Sequence, residues 1–281
     1  MHDPQASRAP RPGGPAALSP ARQAYLRARR RRKALVLCCQ LGFLLAFFAA
    51  WELSARAGLL DSFIFSQPSR IAATLGSLAQ NRLPMHLAVT LYETLTGFVL
   101  GAGLGLGVSV ALWWSPFVAR VAEPYLVVLN SLPKIALGPV IIIIAGAGTG
   151  AIIFMALAIS LIVTVLEMLA GFRHTDPQLI TMARTFGATR RQLLCKVVLP
   201  ANMGTLFNSL KINIGLSLVG VIAGEFLVSK AGLGYLIVYG GQVFQLDLVM
   251  ASVLILAVVA ALMYQAVSLL QRAAARRFGG R

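Results

Sequence analysis

Six long apolar runs constrain the fold of this chain more than any other feature of its sequence. Each is at least 20 residues long, which is enough for a helix to cross a hydrocarbon core about 30 Å thick. None shows the alternation of apolar and polar residues found in membrane barrel strands, so each run is predicted to be a helix. We predict an all-α, polytopic membrane protein with about six transmembrane helices, at residues 34–53, 87–112, 121–144, 150–170, 205–228 and 248–270.

Basic charge is concentrated outside these runs. The sequence is 58% hydrophobic and 12% charged, with a formal net charge of +16. Lys and Arg cluster at residues 1–33, in a loop at 171–204 and at residues 271–281. A nucleic-acid-binding domain would spread such charge over a soluble fold, so no nucleic acid partner is predicted. Residues 1–33 contain too few apolar residues to fold alone, which predicts a basic, disordered cytoplasmic tail.

The distribution of Lys and Arg also predicts the orientation, because cytoplasmic loops are enriched in both. With the N-terminus inside, the cytoplasmic segments hold 19 of the 25 Lys and Arg residues and the outer segments hold four. Both termini are therefore expected in the cytoplasm, with 271–281 as a second basic tail. The first transmembrane helix with its outer segment occupies 34–85, and the main transmembrane domain occupies 86–270, with the cytoplasmic loop 171–204 inside it.

The loop 171–204 contains signals for two short helices. Asp176 followed by Pro177 predicts the start of the first helix, and Gly187 predicts its end. Thr189 can cap a second helix, which Pro200 interrupts before the next span. A DNA-binding helix-turn-helix has similar spacing, but the position between two membrane spans argues against it. A merely solvated basic loop is the other alternative.

The same loop carries the residues that place the chain in a family. Thr181-Met182-Ala183, three residues, Gly187, nine residues and Val197-Val198-Leu199-Pro200 resemble the E-A-A-x3-G-x9-I-x-L-P loop of ABC importer membrane subunits. Thr181 replaces Glu and Met182 replaces Ala, so a salt bridge from the Glu position is missing. Further motifs within residues 65–270 resemble the nitrate, taurine and alkanesulfonate branch of type I importers: Pro68-Ser69, Leu132-Pro133, Gly224-Glu225 and Gly232-Leu233-Gly234-Tyr235.

The resemblance implies a type I ABC importer permease fold, in a bacterial inner membrane, and a role without catalysis. Its implied partners are an ABC ATP-binding subunit, a periplasmic or lipoprotein solute-binding protein, a second copy of this chain and membrane lipid. The sequence has no Gly-Lys dipeptide and so no phosphate-binding loop, which leaves ATP hydrolysis to the partner. The residues implied in coupling to the ATPase are Thr181, Met182, Ala183, Phe186, Gly187, Leu199 and Pro200.

The family resemblance allows more than one class of solute. The branch points to a sulfonate, taurine or nitrate, and a vitamin or pyrimidine precursor is the alternative within the same family. A self-contained channel or ion-coupled carrier would need an ion site and inverted repeats, and no repeat is visible. No metal or other cofactor is expected, because the three cysteines, Cys38, Cys39 and Cys195, have no partner ligands at metal-site spacing.

The third apolar run is predicted to line the pathway, because prolines at 124, 133 and 139 break a helix at membrane depth. Lys134 within it is a candidate to attract an anion, although its side chain could instead reach the membrane surface. The pathway residues proposed from the sequence are Asn130, Pro133, Lys134 and Glu225. Glu93, Glu167 and Glu225 are each expected to pair with a basic residue on a neighbouring helix.

Two glycine-rich segments complete the sequence predictions. Gly97, Gly101 and Gly105 follow a G-x-x-x-G pattern that indicates close helix packing rather than a dinucleotide loop. Residues 229–247 are predicted to form a short re-entrant or surface helix on the outer side, where a solute-binding protein would dock. A plain loop is the competing interpretation of that segment.

Overall fold

The structure is a computed structural model that describes residues 20–77 and 82–278, and the regular structure in these ranges is helical throughout. The predicted all-α fold is therefore confirmed. A 3-10 turn at Lys134–Leu137 and a π turn at Leu194–Val198 interrupt the α-helices. The α-helices are α1 Pro20–Arg56, α2 Ser62–Phe65, α3 Pro68–Ser77, α4 Leu83–Trp114, α5 Pro116–Ser131, α6 Gly138–Ala145, α7 Thr149–Arg173, α8 Pro177–Thr185, α9 Arg190–Leu193, α10 Leu199–Ala201, α11 Met203–Val228, α12 Leu233–Gln242 and α13 Leu246–Phe278.

The chain divides into two units, residues 1–60 and residues 61–281. The first unit corrects the prediction of a disordered tail at 1–33, because α1 already begins at Pro20. Ala, Leu and Arg between Pro20 and Lys33 are good helix formers, and they extend an apolar helix that is already nucleated. Residues 1–19 and 279–281 of the two predicted tails lie outside the described residues.

Five described helices are each long and apolar enough to cross a membrane, namely α1, α4, α7, α11 and α13. A sixth crossing exists if α5 and the segment Lys134–Ala145 act together, and these two pieces meet at an angle of 86°. The predicted third span is thus present as a broken helix. Pro133 is at the break, where it ends the hydrogen bonding of α5.

The packing of α4 on α7 shows why this broken helix has to cross. Gly97 faces Ala156 and Gly105 faces Thr164, so contacts advance in the same direction along both helices. Helices α4 and α7 therefore run parallel, and the chain between them has to return along the length of the bundle. Helices α5 and α6 provide that return, which agrees with the predicted count of six spans.

Glycine makes the α4–α7 contact possible. A Cβ atom built on Gly97 would lie 2.6 Å from Cβ of Ala156, and one on Gly105 would lie 2.6 Å from Cβ of Thr164. Gly101 between them meets Ser160 in the same way. The predicted close packing through small residues is confirmed, since the α4 backbone lies directly against the small side chains of Ala156, Ser160 and Thr164 on α7.

Helix α11 also packs on α7 and runs antiparallel to it. Gly220 of α11 lies against Ala156, and Gly224 lies against Ile152. The bundle therefore has two distinct ends. At the first, called the loop end, α4 and α7 finish and α11 starts, joined by the segment 174–202. At the second, called the α12 end, α4 starts, α11 finishes and α12 follows.

The first testable prediction concerns the α4–α7 contact. Gly105→Ala should destabilise the protein by about 1–3 kcal/mol, because the added methyl collides with Thr164. Gly103→Ala is the matched control on the same helix, since no atom lies within 4 Å of its built Cβ. Heat-induced unfolding in detergent should show a lower midpoint only for Gly105→Ala. Equal midpoints for the two variants would contradict the packing.

Candidate functional site

The segment at the loop end contains the two short helices predicted from its capping residues. Asp176 caps α8, where its Oδ1 accepts a hydrogen bond from the Gln178 amide at 2.8 Å. Gly187 follows α8 with a φ of +78°, a left-handed conformation that glycine adopts without steric cost. Thr189 caps α9 and forms a capping box with Gln192. Each of these predicted signals is found in its predicted place.

Helix α8 has an exposed face and a face packed on the bundle. Phe186 is 84% exposed and Met182 is 54% exposed, while Thr181 and Gly187 are exposed beside them. Ala183 lies on the other face, partly buried against a core cluster. The sequence motif therefore divides into residues available to a partner and one residue that seats the helix.

Leu199 and Pro200 lie where the segment enters α11. Leu199 packs against the same core cluster as Ala183, and Pro200 is exposed at the start of the last turn before α11. The amide of Leu199 donates to the carbonyl of Leu194, five residues back, which closes the π turn. These two motif residues therefore position the chain where it enters α11, and they are not part of the exposed face of α8.

A buried apolar cluster joins this segment to α4 and α7. Phe172 and Met168 of α7 pack with Leu193, Leu194 and Val198. Leu106, Val110 and Trp113 of α4 pack around them, with Ile180 of α8. Both spanning helices therefore end on the same cluster that supports α8.

Two polar contacts reinforce that connection. Nη1 of Arg190 donates to the carbonyl of Trp114, at the end of α4, over 3.0 Å, where a cation is favoured by the helix dipole. Asn202 is buried and its Nδ2 donates to Oγ1 of Thr175 and to the carbonyl of Val198, both over 2.8 Å. The beginning and the end of the segment are thereby tied together.

The broken third span brings three of the predicted pathway residues together. Pro133 follows the end of α5, and Nζ of Lys134 donates to the carbonyl of Asn130 over 2.7 Å. Oδ1 of Asn130 lies 3.4 Å from the same Nζ. Asn130 and Pro133 are exposed and Lys134 is half-buried, so the break presents a polar, positively charged point at the surface of this chain.

Glu225, the fourth predicted pathway residue, lies apart from the other three in a buried cluster at the α12 end. It is 1% exposed. Its Oε1 accepts a hydrogen bond from the Thr90 hydroxyl at 2.6 Å, and its Oε2 accepts one from the Gly234 amide. The same Thr90 oxygen accepts a hydrogen bond from the Leu233 amide at 2.8 Å. The structure thus gives Glu225 protein partners on both carboxylate oxygens.

The predicted ion pairs of the three acids in the spans are not found among the described residues. There the salt bridges join Glu52 to Arg56, Asp247 to Arg70 and Glu123 to Arg173. Glu93 is fully buried beside Glu225, and neither acid has a cation as partner. Backbone amides and a hydroxyl take the place of the expected basic residue at Glu225.

Sequence reasoning missed Thr90 and His86 at this end of the bundle. Thr90 lies on α4, 135 residues before Glu225. His86, one turn earlier, accepts a hydrogen bond at Nδ1 from the Gly232 amide at 3.0 Å, and its ring stacks on Tyr235. A polar residue every turn near the start of an apolar helix was the available signal.

Comparison with known proteins identifies a family of membrane transport components that matches this chain. The family of binding-protein-dependent transport system inner membrane components matches residues 103–280. A probable ABC transporter permease protein of Haemophilus influenzae is 30% identical over 214 residues, 76% of this chain and 87% of the relative. A putative aliphatic sulfonates transport permease protein, SsuC of Bacillus subtilis, is 28% identical over 225 residues, 80% and 82% of the two chains. The formylaminopyrimidine transport permease protein ThiX of Halalkalibacterium halodurans is 28% identical over 193 residues, 69% and 77% of the two chains.

Solved structures share the fold. A chain of the MetNI methionine ABC transporter in an inward-facing conformation has a TM-score of 0.61 and 21% identity, and the match covers 67% of this chain and 94% of that one. A chain of a bacterial ABC transporter involved in import of alginate has a TM-score of 0.61 and 17% identity, with 88% and 98% covered. The predicted permease fold is confirmed by these matches.

The second testable prediction concerns the support of the loop-end segment. Asn202→Ala should lower stability by about 1–3 kcal/mol, because Thr175 and the Val198 carbonyl lose a buried partner. Asn208→Ala, at an exposed position of α11, is the matched control. Unfolding midpoints in detergent measure the difference. A midpoint that is unchanged by Asn202→Ala would show that this tie is dispensable.

Proposed function

This chain belongs to the family of binding-protein-dependent transport system inner membrane components, and from that premise we propose that its loop-end segment receives an ABC ATP-binding subunit. The chain is a permease subunit of an ABC importer and a multi-pass inner membrane protein. In the proposed cycle, ATP draws two ATPase subunits together, the α8 helices above them approach, and the pathway turns from inward to outward. The energy is external, since the sequence has no phosphate-binding loop.

An exposed apolar stripe on α8 is the observation that carries this proposal. Leu179, Met182 and Phe186 follow the i, i+3, i+7 spacing of one helix face, and they are 42%, 54% and 84% exposed. Large apolar side chains with this exposure, on a basic loop outside the spans, are typical of a binding surface. Phe186 and Met182 suit pockets on a partner, while Gly187 allows close approach.

The departure from the family motif fits the same surface. Thr181 is exposed and uncharged where the motif has Glu, so the docking of this chain depends on apolar contacts more than on an ion pair. Arg184, Arg190 and Arg191 add positive charge around the stripe. We expect the facing groove on the ATPase to be apolar with an acidic rim.

The broken span supports a pathway between two copies of this chain. A helix break at membrane depth is tolerated where protein or water covers the freed backbone groups. Within the described part of this chain, Asn130 and Pro133 at the break are exposed and Lys134 is half-buried. A second copy of the chain would cover it and enclose a water-filled path, which makes a homodimer the proposed functional unit.

A small anion is the proposed solute. Lys211, the other basic residue within a span, already donates to Oε1 of Gln271 at 2.6 Å and lies over the ring of Tyr264. Among the described residues, the hydrogen bonds of Lys134 go to the carbonyl and the side chain of Asn130, at the break. A sulfonate, taurine or nitrate would complement this charge, and one relative is named for aliphatic sulfonates. A vitamin or pyrimidine precursor is the second candidate, favoured by the relative named for formylaminopyrimidine.

The α12 end is the proposed outer face, with both termini and the loop end in the cytoplasm, following the distribution of Lys and Arg. Helix α12 lies within residues 229–247, where the sequence predicts a short re-entrant or surface helix. Tyr239 on α12 is exposed, and so are Val243 and Phe244 directly after it. A solute-binding protein docked on this surface would deliver solute to the outward-facing pathway.

The third testable prediction is that Phe186→Ser weakens retention of the ATPase subunit by about 30-fold, as expected for a buried aromatic anchor worth roughly 2 kcal/mol. Phe244→Ser is the matched control, because that side chain is 71% exposed at the other end of the bundle. Co-purification of the ATPase with each tagged variant, measured at several dilutions, compares them. Equal retention by both variants would refute docking at α8.

A further inference from the structure

We propose that α4 carries the movement of the loop end to α12, and that the Thr90 hydroxyl is the positioning group which fastens α12 to it. The proposal rests on the function proposed above, since the movement begins when the ATPase displaces α8. It assigns Thr90 and Glu225 to coupling within the protein. Glu225 then has no direct contact with the solute.

At the loop end, α4 is held to the segment that would meet the ATPase. The carbonyl of Trp114, the last residue of α4, accepts a hydrogen bond from Arg190 at 3.0 Å. Trp113 packs against the buried cluster around Phe172 and Leu193. A displacement of α8 and α9 is therefore applied to the end of α4 by both a polar and an apolar contact.

Between its two ends, α4 is a continuous helix whose packing lets it pass on a displacement as a rigid unit. Thr90 and Trp114 are separated by 24 residues of one continuous helix, which is about 36 Å at 1.5 Å per residue. At Gly97, Gly101 and Gly105, which are one turn apart, its backbone packs directly on small side chains of α7. Closely packed interiors of this kind transmit strain instead of absorbing it.

At the α12 end, Thr90 joins α4 to two other elements. Its hydroxyl donates to Oε1 of Glu225 on α11 and accepts from the amide of Leu233, the first residue of α12. The Leu233 side chain is fully buried. One hydroxyl group thus connects α4, α11 and α12, and both of its hydrogen bonds lie in the protein interior.

The glycines at the start of α12 show that this joint depends on close approach. A Cβ atom on Gly232 or Gly234 would collide with the carboxylate of Glu225. Gly232 also has a φ of +116°, a conformation that disfavours other residues. The amide of Gly234 donates to Oε2 of Glu225. The first turn of α12 and the Thr90 hydroxyl therefore bind the same carboxylate group.

Thr94 provides a matched control for Thr90. It lies one turn further along the same helix and is likewise fully buried. Its Oγ1 has no hydrogen-bond partner among the described residues. Thr→Val keeps the shape of the side chain and removes the hydroxyl, so the same substitution removes the joint at position 90 and no hydrogen bond at position 94.

The experiment uses the complete transporter with its ATPase, in lipid nanodiscs. Cys38, Cys39 and Cys195 are replaced by Ser, and Val243→Cys, at the exposed position after α12, is labelled with a water-soluble maleimide. The readout is the change in labelling rate when the ATPase hydrolyses ATP and vanadate then traps the ADP product. We expect Thr90→Val to reduce this change at least about fivefold, the factor for losing roughly 1 kcal/mol of hydrogen bonding, while Thr90→Ser and Thr94→Val keep it.

The outcomes separate the two proposals. An unchanged response in Thr90→Val, or an equal loss in Thr94→Val, would overturn the role of the Thr90 hydroxyl while the ATPase remains bound and active. A transporter that retains no ATPase would instead refute docking at the loop end. If Thr90→Val does not assemble, Glu225→Gln tests the same joint, because it keeps the side-chain size and replaces with a donor one of the two acceptor oxygens that face the Thr90 hydroxyl and the Gly234 amide.

Discussion

The close contact between α4 and α7 is the constraint on which the rest of the main unit depends. Gly97, Gly101 and Gly105 let the two helices run parallel, with the α4 backbone packed directly on small side chains of α7. A parallel pair formed from consecutive long helices forces the intervening chain to cross back along the bundle. The broken span α5–α6, with its exposed polar break at Lys134, exists because of that requirement.

Several buried polar side chains of the bundle find hydrogen-bond partners within it, as a membrane environment favours, whereas Oγ1 of Thr94 and Oδ1 of Asn213 have none among the described residues. Glu225 receives hydrogen bonds from a hydroxyl and a backbone amide, and Asn213 donates to Thr164 within the helix packing. Asn202 does the same at the loop end. Glu225, Asn213 and Asn202 thus join neighbouring elements, and the proposed point of contact for a solute is the break of the third span.

The sequence was most informative where structure is determined by neighbouring residues. The caps at Asp176 and Thr189 and the turn at Gly187 are local features, and all three are present as predicted. The joint between Thr90 and Glu225 could not be predicted, because it spans 135 residues and depends on where helices pack. The start of α1 was missed for a related reason, since a segment with too few apolar residues to fold alone becomes helical when it continues a stable helix.

The packing of Ala183 against the bundle could not be predicted from the sequence either. The sequence analysis assigned the whole motif to the surface that meets the partner. Only the packing of α8 on the cluster around Phe172 divides the motif into an anchoring side and a docking side. This division is what gives the loop its proposed mechanical role. A helix held on one face and exposed on the other can receive a partner and pass its movement to the bundle.

Affinity purification of the tagged chain from its native membrane, with mass spectrometry of the bound proteins, tests the central claim most directly. The account predicts recovery of an ATP-binding cassette subunit together with a solute-binding protein, and solute uptake by the complex only when ATP is supplied. Recovery of this chain alone, transporting solute in liposomes without ATP, would contradict the account and make the protein a carrier or a channel.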